Sequence, residues 1–189
     1  MSLVETEWLD KNLDNVKIID CSWHMPLTKR NGFEEYKIKH IPNSIFFDLD
    51  TNSNRETNLP HMLVDKHDWE KIVSTMGIKN NDEIVIYDNS DVISSCRCWY
   101  NFIYFGHDPK LVHILNGGLQ KWIKEKKITN ADLPLINKTK YKSLEKKELV
   151  KDMKMINQNI IEPSFKVIDA RSRERFDGKV TEPRKGLKS

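Results

Sequence analysis

The sequence predicts an α/β fold: a parallel sheet with helices on both faces, followed by the opening of a second, incomplete module of the same kind. Two observations carry this. Short apolar runs alternate with stretches of helical period up to about residue 126, the pattern of strands joined by crossover helices. An opening phrase also recurs. Residues 17–20 read Lys-Ile-Ile-Asp and residues 166–169 read Lys-Val-Ile-Asp, each after an amphipathic stretch, residues 5–13 and 147–156. The first copy runs on for about a hundred residues, an ordinary domain size. The second has about twenty residues left after its Asp and is expected to lack the rest of its domain, with any chemistry housed there.

Taken in order, residues 5–13 are expected to be a helix and residues 17–20 a buried strand. Residues 44–48 (SIFFD) are expected as a second strand. Residues 66–77 set Trp69, Ile72, Val73 and Met76 at i, i+3, i+4, i+7, and Gly77 stands where a helix would stop. Residues 83–87 (EIVIY) give the clearest strand. Residues 94–105 form an apolar helix closed by Gly106, 111–115 (LVHIL) a fourth strand and 117–126 a further helix. Residues 127–142, with Pro134 and several Asn and Lys, read as a linker between a domain at 1–126 and a second module at 143–189. Parallel sheets covered on both faces bind ligands at the carboxyl ends of their strands.

Composition narrows the function classes. Net charge is +3, from 31 basic and 28 acidic residues, and the richest basic stretch, 138–154, alternates Lys with Glu, Leu and Met like a solvated helix face. That pattern argues against a nucleic-acid partner. No apolar run approaches the ~18 residues of a membrane span, and MSLVETEWLD lacks the pattern of a secretory signal. Three cysteines, Cys21, Cys96 and Cys98, are too few and too odd for a disulfide scaffold. They suggest a reducing compartment, the cytoplasm. Cys96-Arg97-Cys98 is C-x-C with no second pair, so no metal site is expected.

Four segments, spanning nearly the whole chain, resemble the rhodanese superfamily, and within it the two-domain sulfurtransferases. They are KHIPNSIFFDLD (39–50), LPHMLV (59–64), IVIYDNSDVISSCRCWYNFIYFGH with ILNGGLQKW (84–107 and 114–122), and VIDARSRERFDGKVTEPRKGLKS (167–189). The last, with Arg175 and Arg184 nine positions apart, is most similar to the 3-mercaptopyruvate enzymes. The resemblance implies a first domain that is catalytically silent and a nucleophilic cysteine on a loop of the second domain. The matching loop of the first domain begins here at Asp88, and a carboxylate cannot form a persulfide. By the resemblance, the intact protein moves sulfane sulfur from 3-mercaptopyruvate or thiosulfate to cyanide or a thiol acceptor such as thioredoxin, with no cofactor, while this chain alone is inactive. The competing reading is a non-catalytic binding or regulatory module. A weaker one makes Cys96 or Cys98 the nucleophile of a one-domain enzyme or redox sensor.

The resemblance also assigns residues. Asp50 and His61, eleven positions apart as in the family, are implied as the supporting catalytic pair that faces the cysteine. The chemistry suits them, since a thiol needs a base to become a thiolate and a carboxylate fixes a histidine's tautomer. Arg175 and Arg184 are implied as substrate-binding groups, because a guanidinium offers paired donors to a keto-acid carboxylate. Arg171 is read as structural, and Asp20, His40 and Asp169 as residues that organise strand ends. Cys21, Cys96 and Cys98 are read mainly as packing residues.

Overall fold

The computed structural model describes residues 2–181. Among them, strands β1 (Leu3–Val4), β2 (Lys17–Asp20), β3 (Ser44–Phe46), β4 (Ile84–Tyr87) and β5 (Val112–Leu115) form one parallel sheet in the order β1-β5-β4-β2-β3. Helices α1 (Thr6–Asp10), α2 (Gly32–Ile38), α3 (Lys66–Thr75), α4 (Ser95–Tyr104) and α5 (Gly118–Lys124) intervene. Because side chains alternate along a strand, each strand feeds two cores. Ile19, Ile84 and Ile86 pack with Trp69 and Val73 of α3 and Cys98 and Phe102 of α4. Ile18, Val85 and Tyr87 pack on the other face with Leu9 of α1 and Leu119 and Trp122 of α5. The expected doubly covered sheet is therefore present. Trp69 is wholly buried, stacked on Phe105 at 4.7 Å and edge-on to Phe102 at 5.1 Å; such pairs add about 0.5–1.5 kcal/mol each beyond burial.

Two elements were not expected. Strand β1 has two residues, too short to leave a period in sequence. Helix α2 carries an N-cap that could have been read: the Asn31 side chain accepts from the Glu34 amide at 3.1 Å.

The expected linker is corrected. The first compact unit runs Met1–Leu149, and residues 127–149 are a strap laid along it. Asn130 bridges antiparallel to His40. The amides of Leu144 and Lys146 donate to the carbonyls of Phe105 and Tyr104 at 2.9 and 2.8 Å, and the Ser143 amide donates to Glu70 at 2.9 Å. Tyr141, 2% exposed, stacks on His107 with ring centroids 5.8 Å apart and joins the α3–α4 core. His107 Nε2 lies 2.9 Å from the Asp82 carbonyl, an acceptor, so the Tyr141 hydroxyl donates to Nδ1 at 3.1 Å. Burial holds the His107 imidazole below its usual pKa, consistent with that neutral form. The strap is fastened mainly through its own backbone N–H and C=O groups, which leave no periodic pattern in the sequence.

The second unit spans Val150–Ser189 and holds α6 (Met153–Ile161) and α7 (Arg173–Phe176). The helix expected at 147–156 begins later, because Asp152 caps it, accepting from the Met155 amide at 2.7 Å; residues Lys147–Leu149 form only a 3-10 turn. The strand expected at 166–169 does not form. Val167 and Ile168 are 64% and 86% exposed, and the described part of this unit offers no neighbouring strand to satisfy their backbone.

Tyr141→Ala should lower the stability of the first unit by about 3–5 kcal/mol, the range for removing a large buried aromatic side chain. Urea unfolding followed by tryptophan fluorescence will measure it. A chain cut after residue 126 should unfold at distinctly lower urea than one cut after residue 149; equal midpoints would show that the strap is not part of the fold.

Candidate active site

Three loops leave the carboxyl ends of β2, β3 and β4 and meet at one edge of the sheet. The β3 loop carries both Asp50 and His61, and the structure brings them together: His61 Nε2 lies 2.8 Å from Asp50 Oδ1. His61 has a positive φ of 56°, an uncommon conformation for a side chain of its size. The pair is supported from outside its own loop. Trp23, just after β2, donates its indole N–H to both Asp50 oxygens, at 3.1 and 3.0 Å, and its ring stands edge-on to the His61 ring at 4.8 Å. Arg97, in the first turn of α4, donates to the His61 carbonyl and lies over the Tyr100 ring. Burial lowers the Arg97 pKa, and among the described residues no carboxylate pairs with it. The His61 side chain remains 23% exposed and that of Asp50 65% exposed, so both are open to a reactant. A cleft of about 160 Å³ opens beside Asp50, lined also by Trp23, His24, Arg30 and Asp48.

The β4 loop is differently equipped. Asp88, buried, accepts from the amides of Ser90 at 3.0 Å and Ser95 at 2.7 Å, so its carboxylate caps the start of α4. Its carbonyl accepts from the Leu119 amide at 3.0 Å. Gly118, at φ +55°, packs so closely that a Cβ would sit 2.4 Å from that carbonyl oxygen, which explains the second Gly of ILNGGLQKW. A cavity of about 460 Å³ beside this loop is lined by Asp88, Ser90, Cys96 and Gly117 among others. The three cysteines are free. Cys21 and Cys98 are wholly buried, and burial together with the neighbouring Cys98 pushes the Cys21 thiol well up. Cys96 is exposed, but partial burial and the nearby Asp88 raise its thiol too. Neither Cys21 nor Cys96 has the depressed pKa of a reactive thiol, and Cys98 is shut away from any reactant. That result counts against the one-domain reading in which Cys96 or Cys98 is the nucleophile.

The rhodanese-like domain model matches residues 5–125, well over half of the sequence. The chain belongs to the rhodanese-like family. Its similarities to named proteins extend beyond that domain. It is 37% identical, over 214 aligned residues, to thiosulfate/3-mercaptopyruvate sulfurtransferase 1, mitochondrial, of Arabidopsis thaliana, covering 99% of this chain and 55% of that protein. It is 29% identical to human 3-mercaptopyruvate sulfurtransferase over 194 residues, covering 98% and 65%. The crystal structure of SseA from Escherichia coli, described as a 3-mercaptopyruvate sulfotransferase, superposes with a TM-score of 0.88 at 28% identity, covering 98% of this chain and 71% of that one. This rhodanese-like chain thus spans 55–65% of the length of these two curated relatives.

The remaining candidates fall as follows. Arg175 lies on α7 of the second unit, where its amide meets the Ser172 hydroxyl at 3.5 Å. Arg184 lies outside the described residues. Arg171 pairs with Asp169, Nη2 to Oδ2 at 2.8 Å, and holds that carboxylate below its usual range. His40 is wholly buried between the carbonyls of Tyr36 and Asp132. Among the described residues, no three His, Cys, Asp or Glu side chains gather as metal ligands would, and no helix is long and apolar enough to cross a membrane. Sequence reading missed Trp23 and Arg97. A tryptophan three residues past a strand-end Asp, and a single charge within an otherwise apolar helix, were the available signals.

Two predictions follow from this edge. In the folded chain, a thiol reagent should label Cys96 slowly and leave Cys21 and Cys98 untouched until denaturant is added; rapid labelling of two thiols would contradict the burial. Asp20 is buried beside β4, and desolvation raises its pKa from 3.8 to about 6 despite the Ser22 hydrogen bonds. A raised folded-state pKa means that this contribution to stability is complete below about pH 4 and is lost as pH rises through 6. Asp20→Asn should therefore gain stability over the parent as pH climbs from 4 to 7, by up to about 3 kcal/mol. Denaturant unfolding at the two pH values reads the difference, and a constant difference would refute it.

Proposed function

We propose that this chain is the catalytically silent first module, with the opening of the second, of a two-domain sulfurtransferase acting on 3-mercaptopyruvate or thiosulfate. The hydrogen-bonded Asp50–His61 pair carries the reading: it stands at the carboxyl edge of a rhodanese-like sheet whose own β4 loop holds Asp88 where a thiol would be needed. The family implied by the sequence places its cysteine on the other module, and an oriented, part-exposed histidine is what such a thiol lacks.

On this reading the second-module cysteine thiolate attacks the sulfur of 3-mercaptopyruvate. The carbon–sulfur bond breaks, the cysteine persulfide forms, and the enolate of pyruvate leaves and takes a proton. An acceptor thiolate then attacks the outer sulfur and carries it off as a new persulfide, regenerating the cysteine; cyanide would leave as thiocyanate. Arg175 and Arg184 would hold the keto-acid carboxylate through charge-assisted hydrogen bonds. A thiol protein of the thioredoxin kind is a fitting acceptor, because a persulfide is discharged by a nucleophilic thiolate. Free thiols fit a reducing compartment, proposed as the cytoplasm, although the Arabidopsis relative is named as mitochondrial. The second reading, a non-catalytic binding module, is favoured by one observation: Cys21 and Cys98 are wholly buried, and partial burial with the nearby Asp88 pushes the Cys96 thiol up.

Pyruvate release from 3-mercaptopyruvate, with dithiothreitol as acceptor, separates the readings. The 189-residue chain should turn over no faster than a variant with Cys21, Cys96 and Cys98 all changed to Ser. A version extended through a complete second module should be active, and His61→Ala in it should cut kcat/KM by about 10²–10⁴-fold, the usual worth of a general acid–base group. An extended protein indifferent to His61 would remove the pair from the mechanism. In the same protein Arg184→Ala should weaken kcat/KM for 3-mercaptopyruvate about ten- to a hundred-fold. Thiosulfate, which has no carboxylate, should suffer less; equal losses would make Arg184 structural.

A further inference from the structure

The Asp50–His61 pair is held by parts of the fold that share no loop with it. Trp23 grips the carboxylate through its indole N–H and bounds the imidazole with its ring edge, while Arg97 grips the His61 carbonyl. Trp23 is itself tied to the β4 loop. Its amide donates to the Ser94 hydroxyl at 3.1 Å, the Ser90 hydroxyl donates to its carbonyl, and the Ser94 hydroxyl donates on to the Cys21 carbonyl at 2.6 Å. The β4 loop, which carries no cysteine between Asp88 and Ser94, thus anchors the residue that orients the dyad on the β3 loop.

The chemistry of these donors decides more. An indole N–H only donates and an ionised carboxylate only accepts. With Asp50 accepting from Trp23, the contact at His61 Nε2 requires Nε2 to carry a proton. A neutral imidazole has one N–H, so the lone pair is on Nδ1, and no described residue hydrogen-bonds there.

We infer that Trp23 and Arg97 are positioning residues that lock His61 as its Nε2–H tautomer and leave Nδ1 as the nitrogen that takes and returns a proton. The assignment of that proton to sulfur transfer rests on the function proposed above. There a thiol S–H bond breaks as the Nδ1–H bond forms, giving a thiolate and an imidazolium whose second N–H stays on Asp50. The same proton is then delivered to the enolate carbon of the departing pyruvate, which restores the neutral ring.

Nitrogen-15 NMR of the isotopically labelled 189-residue chain tests the positioning without any turnover. At a pH where His61 is neutral, the ring shifts should show an excess of the Nε2–H tautomer of about tenfold or more, equivalent to about 1.4 kcal/mol. Trp23→Phe keeps a ring beside the imidazole but removes the donor to Asp50, and should reduce the excess to about threefold or less. Arg97→Met should also reduce it, and Arg97→Lys, which still donates, should restore most of it. The backbone amide spectrum away from this edge should not change. Should Trp23→Phe fail to fold, Ser90→Ala loosens the same anchor and should act in the same direction. A parent chain without the Nε2–H excess, or variants that leave the ratio unchanged in a folded protein, would overturn the inference. If the ratios move as expected while His61→Ala leaves sulfur transfer by the extended protein intact, the positioning stands and the sulfurtransferase role of the pair falls.

Discussion

The carboxyl edge of this sheet depends on the burial of β4. Ile84, Val85, Ile86 and Tyr87 are wholly inaccessible, two on each face, and the strand is paired on one side to β2 and on the other to β5. A strand buried on both faces has one tolerable register, because a one-residue slip would exchange the contents of both cores. That register puts Asp88 at the strand end with its carboxylate on the Ser95 amide, the first of α4, and so sets α4 and Arg97 with it. It also puts the Tyr87 hydroxyl 3.0 Å from Ser44 Oγ and within reach of the Ile41 amide, which ties down the approach to β3.

From that frame the edge is divided between two loops. The β4 loop satisfies its own polar groups: Asp88 meets two amides, Ser94 meets Cys21, and Ser90 meets Trp23. A carboxylate held in this way is a structural cap, and partial burial together with its charge discourages thiolate formation at Cys96 close by. The β3 loop presents its pair at the surface, with His61 in a left-handed conformation and part-exposed and Asp50 largely exposed. The contrast between an inward-satisfied loop and a part-exposed dyad underlies the proposal that this domain donates supporting groups to chemistry centred elsewhere.

The strap at 127–149 shows how much of the domain lies outside its regular elements. It closes the α3–α4 core through Tyr141 and fastens to edges that helices leave open, including the carbonyls of Tyr104 and Phe105 at the end of α4. Gly106, where a Cβ would meet the Leu144 carbonyl oxygen at 2.5 Å, gives the strap its close approach.

The alternation of apolar runs and helical periods was legible in the sequence because burial on two faces leaves a local pattern at β2, β4, α3 and α4. The rhodanese resemblance and the eleven-residue spacing of Asp50 and His61 were legible for the same reason: they are linear. Three things were not. The strap read as a linker because backbone hydrogen bonds and one buried tyrosine carry no period. The strand expected at 166–169 had the right residues, but a strand exists only through a neighbour, and the described second unit supplies none. Trp23 and Arg97, from other loops and helices, join the dyad only because parallel strands deliver their carboxyl ends to one edge. The sequence by itself determined the α/β class and the chemical type of the pair; the tertiary structure decided which groups hold it and which nitrogen of His61 meets Asp50, because those follow from contacts between residues as far apart as 23, 50, 61 and 97.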